Sequence, residues 1–306
     1  MTTNSPNPLA ASRDLPELLA AFGLPPDTKA ELGELPGCFT AEVEAELYHS
    51  TPNTISHSSM IHLLRSPQHY RVYLDGPRDD STPNLGTAFH SAVLEPHKFI
   101  NDYKVYLQTR KGAAWEEFSK QFQGKMILTQ KEMTSVLGMK KALTDFTDFP
   151  IQKGFELGKA EQSIFWIDPE TGVQCRIRVD NLTPSVIWDL KSTNDSRPES
   201  IVHQVVRMHY DLEAGMYVEG VKRFTGKSLP FIFVFVEDAQ PHGVWMHTAG
   251  ATMIENGYRK FRRGTRAFAT LKATNNWHCY LNAISTLELP KYAMLSPDAI
   301  EDAANA

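Results

Sequence analysis

VQCRIRVDNLTPSVIWDLKST, residues 173–193, contains two strand-like patterns joined by a short polar turn, and its reading decides the fold. Side chains alternate along a β-strand, so Asp189 and Lys191, two residues apart, project from one face. If the strand ending at Asp180 pairs with the next one across the Asn181–Ser185 turn, Asp180 approaches Asp189. Two carboxylates at that spacing suit a hard divalent cation, magnesium or manganese, which prefers oxygen ligands. Hydrolysis of a phosphodiester needs such a cation to activate water, together with a positive group where charge develops. Lys191 is the candidate for that group. Arg176 and Arg178, on the strand leading into Asp180, fall on its side by the period of two and are candidates for holding phosphate. An Asp-x-Lys at a strand end is elsewhere often a solvated edge with a weak ion pair. Here an apolar strand, Val186 to Trp188, delivers the pair, and a second acid stands across the turn.

Working outward, SIFWI before the segment and LPFIFVFVED after it are also strand-like, and DPETG, residues 168–172, gives a hairpin signal. The near-continuous apolar run from Leu229 fits a central strand. Between these strands, His203 to Phe224 has helical spacing, which places Tyr210 and Tyr217 on one face. A last helix is expected over Thr252–Leu271, carrying the basic cluster Arg259, Lys260, Arg262, Arg263 and Arg266. Upstream, Ser56 precedes Met60, Leu63 and Leu64 as a cap precedes a helix. A second helix in LGTAFHSAVL carries His90, and Lys111–Phe149 reads as one or two more. The expected architecture is α/β, a central mixed sheet flanked by helices. Residues 1–45, rich in Pro, Thr and small side chains, read as a partly flexible appendage, and 293–306 as an acidic tail.

Composition bounds the alternatives. With 306 residues, 42% of them hydrophobic, the chain is long enough to bury a core. No apolar run approaches a membrane span, and the first residues lack the layout of a secretory signal, so a cytoplasmic protein without a membrane partner is expected. The three cysteines, Cys38, Cys175 and Cys279, are too far apart in sequence to suggest a disulfide framework or a metal cluster. A net charge of −5 argues against a uniformly basic surface, but a nucleic-acid enzyme needs basic groups only where phosphates run.

Five segments in order, YHSTPNTISHSSM, LGTAFHSAVLEPHKF, AEQSIFWIDPETGVQCRIRVD, WDLKST and HYDLEAGMY, resemble the C-terminal nuclease domain of the RecE (exonuclease VIII) family, in the PD-(D/E)XK superfamily. The resemblance spans about residues 46–292. It implies that His90, Asp180 and Asp189 bind metal, that Lys191 is catalytic and that Glu161 belongs to the site. It further implies a Mg2+-dependent exonuclease, with Mn2+ as substitute, degrading one strand of linear double-stranded DNA from the 5′ end. A RecT-like single-strand annealing protein as partner and a homo-oligomeric ring, a tetramer, belong to the same implication. Two departures stand out: Val179 replaces the proline of the superfamily's name, and Glu213 stands where a glutamine is expected. A carboxylate there would repel phosphate where an amide could donate to it. The alternatives are another nuclease of the superfamily, of repair or restriction type, and a catalytically silent DNA-binding scaffold.

Overall fold

The computed structural model describes residues 7–76, 84–146, 158–280, 284–289 and 294. Its centre is a mixed sheet. In chain order the strands are β1 (Ala30–Leu32), β2 (Cys38–Ala41), β3 (Thr54–Ile55), β4 (Tyr103–Tyr106), β5 (Met126–Thr129), β6 (Lys159–Ile167), β7 (Gln174–Leu182), β8 (Ile187–Thr193), β9 (Phe231–Glu237) and β10 (Val244–Thr248). The main sheet runs β1-β2-β6-β7-β8-β9-β10, with β3 paired to β7, while β4 and β5 form a separate parallel pair. The helices are α1 (Leu15–Ala21), α2 (Ala45–Ser50), α3 (His57–Arg65), α4 (Pro67–Asp75), α5 (Leu85–Leu94), α6 (Pro96–Asp102), α7 (Gly112–Gln121), α8 (Gln130–Asp145), α9 (Pro198–Met208), α10 (Tyr210–Thr225) and α11 (Ala251–Thr274).

The segment that opened the sequence reading forms the middle of this sheet. The DPETG turn joins β6 to β7 as an antiparallel pair, and β7 turns into an antiparallel β8. β8 and β9 are parallel, which requires a crossover, and α9 and α10 supply it. The LPFIFVFVED run is flanked on both sides, by β8 and β10, as its apolar composition requires. One core packs Ile177, Val179, Ile187, Phe233 and Phe261 beneath α10 and α11; on the opposite side Trp188, Leu190 and Val234 pack against Phe89 and Met139 of α5 and α8.

Strand β7 is forked. Its start pairs with β3 at Gln174 and Cys175, and its end pairs with β8 at Asn181 and Leu182. Asp180 lies just inside the fork. Val179 and Leu182, three residues apart, both contribute to the larger core, so strict alternation slips once between them.

Several expectations need correction. Residues 1–45 are not an appendage, as far as they are described. β1 and β2 extend the sheet, and Leu18, Phe22 and Phe39 are fully buried against Phe165 and Tyr48. Pro16 opens α1, and Gly23 and Gly37, both at positive φ, turn the chain between these packed pieces. The single helix expected over 203–224 is two, broken at His209, whose φ of 55° stops α9 and starts α10. Four-residue β5 lies between α7 and α8, too short for a periodic signal. Phe149 and nearly all of the 293–306 tail lie outside the described residues.

Candidate metal and catalytic site

Three elements bring the acids and the histidine together. His90 comes from α5, which Asn84 caps by accepting from the Gly86 amide. Glu161 comes from β6 and Asp180 from β7, facing each other between the register pairs Ala160–Asn181 and Gln162–Val179. One ligand atom from each of His90, Glu161 and Asp180 lies within 4.8 Å of the others. Opposite ligands of a magnesium ion are separated by about 4.2 Å, twice its bond length, so small side-chain movements close the set on one hard cation. His90 Nδ1 is 3.6 Å from Asp180 Oδ2, and the Leu190 amide donates to that same oxygen at 2.7 Å. The backbone of β8 therefore aims the Asp180 carboxylate.

Glu161, the third residue of β6, is held in left-handed backbone with φ 50°. A residue with a Cβ pays on the order of 1–3 kcal/mol for that conformation. Burial, reinforced by Asp180, pushes its carboxyl up to about 8, although Arg178 opposes the shift. A group that binds its proton this tightly is one whose negative charge lacks a sufficient partner, which a cation would supply.

Asp189 and Lys191 project from β8 on the α10 side, as the period of two requires. Asp189 stands outside the three-residue set: its Oδ2 is 2.6 Å from Lys191 Nζ. The lysine also lies 3.2 Å from both oxygens of Glu213 and 5.0 Å from the centre of the Tyr210 ring. Burial alone would lower Lys191, but Asp189, Glu213 and Asp180 outweigh it and hold the ammonium charged. Burial and the Glu213 carboxylate push Asp189 well up. Burial would raise Glu213, but the Lys191 charge outweighs it and holds the carboxyl below its ordinary range.

The remaining sequence candidates fall into place differently. Arg176 does not face phosphate: it is buried, donating to the Thr51 and His49 carbonyls over the Tyr48 ring. Arg178 donates to Ser163 Oγ and the Val43 carbonyl and stacks on Tyr48, with Glu161 at 3.9 Å. The two arginines clamp residues 43–51 to the sheet; period-two spacing gave their side but not that neighbour. Tyr210 is buried against Phe233, and its hydroxyl accepts from Gln204 at 3.3 Å. Tyr217 packs on Phe231. Both tyrosines thus serve as core beneath the site. In the α11 cluster, Arg262 pairs with Asp168 and Glu170, Arg266 with Glu170, Lys260 with Asp211 and Arg259 with Glu255; Arg263 is exposed. His57 was not among the sequence candidates, because its helix-start position resembles any surface histidine.

A groove of about 720 Å³ opens onto Glu161, bordered by Lys29, Glu31, Thr40, Glu42 and Lys159. Among the described residues no helix is long and apolar enough to cross a membrane.

Comparison with known proteins agrees with this architecture. The family model described as a PDDEXK-like domain of unknown function, DUF3799, matches residues 56–287. The crystal structure of a candidate exonuclease from Eubacterium rectale superposes with a TM-score of 0.57 at 15% identity, covering 81% of this chain and 96% of that one. At that identity the likeness is one of fold. A second structure, of SSO0001, is 12% identical over 67% of this chain and 86% of its own, with a TM-score of 0.27, too low to bear on the fold. No curated protein matches the chain.

Proposed function

The chain belongs to the PDDEXK-like family, and from that premise we propose that it is a magnesium-dependent exodeoxyribonuclease acting on linear double-stranded DNA. The observation that carries the reading is the convergence of His90, Glu161 and Asp180 beside the Asp189–Lys191 pair. Asp180, His90 and Glu161 would hold the divalent cation, Asp189 completing the set. A bound Mg2+ or Mn2+ supplies charge to the phosphoryl oxygens and lowers the pKa of a coordinated water.

The protein's own groups do the rest. The Leu190 amide fixes Asp180, so that the carboxylate is oriented before the substrate arrives. Lys191 keeps its proton between Asp189 and Glu213, and its charge is available to the attacking water and to the negative charge growing on phosphorus. Attack forms one P–O bond and breaks another, leaving a phosphate on one fragment and a hydroxyl on the other.

The finer features rest on the RecE resemblance: 5′-to-3′ digestion, 3′ single-stranded tails for phage-type recombination, a RecT-like annealing partner and a tetrameric ring. The experiment incubates purified protein and Mg2+ with end-labelled linear duplex and relaxed closed-circular plasmid together. Progressive loss of the linear species with intact circles is expected. Nicked circles would make it an endonuclease, and intact linear DNA would leave the silent scaffold.

A further inference from the structure

We propose that His57 is a positioning residue for Lys191, acting through Glu213; the proposal rests on the nuclease reading above. Its starting point is charge. Lys191 brings one positive charge into a buried pocket where Asp189 and Glu213 each offer a carboxylate, at 2.6 and 3.2 Å. A buried carboxylate that shares its one cation is costly to misplace, so whatever holds it against that cation matters. Glu213 has a second neighbour on its far side: His57 Nδ1 lies 3.9 Å from Oε1.

The other ring nitrogen fixes the imidazole. His57 Nε2 lies 3.1 Å from the main-chain oxygen of His209. A carbonyl only accepts, so Nε2 must donate; burial lowers the imidazole pKa, so the neutral ring carries its proton there and turns a bare Nδ1 toward Glu213. The same His209 oxygen accepts from the Glu213 amide at 3.2 Å. His57 therefore confines Glu213 rather than attracting it: the ring, its Nδ1 lone pair facing Oε1, closes the far side and leaves Lys191 as the favourable direction, while Nε2 shares the carbonyl that the Glu213 amide uses. That carbonyl belongs to the residue in left-handed backbone at the break between α9 and α10, the point that sets where α10 begins.

His57 is itself held firmly. It is the first residue of α3, whose entry is fixed by a capping box in which Ser56 and Ser59 bond reciprocally. Its side chain is 13% exposed, so it is confined between α3 and the start of α10. Removing the ring frees Glu213 to turn away from Lys191, leaving Asp189 alone to hold the ammonium. Turnover then falls, while DNA affinity, which does not use Glu213, stays.

A double-mutant cycle on linear duplex cleavage tests this with wild type, His57→Ala, Glu213→Gln and the double variant. The expected result is about a tenfold loss of kcat for His57→Ala with KM unchanged. In the Glu213→Gln background the same substitution should change kcat by less than about twofold, because the carboxylate it positions is gone. If alanine unfolds the first turn of α3, as circular dichroism would reveal, His57→Gln replaces it in both backgrounds. Equal losses in the two backgrounds, an unchanged kcat, or a loss confined to KM would each overturn the proposal. An inert wild type would remove the nuclease reading and the proposal together, whereas an active wild type with additive losses removes the proposal alone.

Discussion

Glu161 and Asp180 face each other across the β6–β7 pair, and Glu161 reaches that position in a left-handed conformation with φ 50°. The conformation brings its carboxyl beside Asp180, whose negative charge adds to burial in pushing it up to about 8. Below about pH 8 the metal-free protein therefore holds a proton on Glu161, and a cation binding there displaces it. Magnesium titrations at pH 7, in buffers of different ionisation enthalpy, should show proton release approaching one per ion. Glu161→Gln should remove most of that release. Identical release from the variant would place the proton elsewhere.

Asp180 and Asp189 differ in their neighbours, and the difference sets what each substitution does. Asp180→Ala removes a ligand fixed by the Leu190 amide, whereas Asp189→Ala also removes the closest carboxylate to Lys191. Both should lose cleavage by a factor of about a hundred or more while keeping native circular dichroism. Magnesium should raise the melting temperature of wild type more than that of either variant, since ligand binding stabilises in proportion to occupancy. Near-wild-type cleavage by purified Asp189→Ala would sink the site.

Lys191→Ala separates charge stabilisation from metal binding. Among the described residues the ammonium is held by the Asp189 and Glu213 carboxylates and lies over the Tyr210 ring, so its loss should leave magnesium affinity in calorimetry within a few-fold of wild type. Turnover should fall on the order of a hundredfold, the scale of deleting one positioned charge. Metal binding lost along with turnover would make the lysine structural.

How much of this was legible beforehand depended on range. That Asp189 and Lys191 share a face of β8 follows from a two-residue period, and the short turn after β7 accounts for Asp180 lying on the neighbouring strand; that Glu161 and His90, not Asp189, cluster with Asp180 does not follow from either. The α/β architecture with its central mixed sheet was legible for the same reason. His90 and Glu161 came from the resemblance, because nothing local says that α5 docks on β8 with His90 reaching Asp180 and Glu161. The arginines show the limit. Arg176 and Arg178 look like phosphate ligands in sequence, and only the fold reveals carbonyls of residues 43–51 closing over them. The break at His209 was invisible because apolar spacing continues through it, and no residue type at that position signals a left-handed φ.

The α11 bases make the same point in energetic terms. Arg262 pairs with Asp168, which is fully buried and whose other oxygen organises the DPETG turn by accepting from the Thr171 amide and hydroxyl at 2.8 and 2.6 Å. Arg262→Ala strands that carboxylate and should cost about 3–5 kcal/mol in denaturant unfolding. Arg263→Ala, on the exposed face, should stay within about 0.5 kcal/mol. A variant at Arg262 that melts normally but binds DNA poorly would instead make the helix a phosphate contact.

Calcium distinguishes the proposed metal chemistry from simple charge neutralisation. The set joins carboxylate oxygens to one imidazole nitrogen, His90. Magnesium and manganese accept such a mixed, compact set, whereas calcium prefers six to eight oxygens at longer distances. Its bound water is less activated, and its looser coordination positions phosphate less firmly. Calcium should therefore protect the protein against heating at millimolar concentration without supporting cleavage, and should inhibit when added to a magnesium reaction. Manganese should support cleavage. His90→Asn, which swaps the nitrogen for an amide oxygen, should narrow the gap between magnesium and calcium binding in calorimetry while lowering magnesium-dependent turnover. Equal turnover in calcium and magnesium by wild type would mean that the cation only offsets charge, and the role given to the activated water would fall.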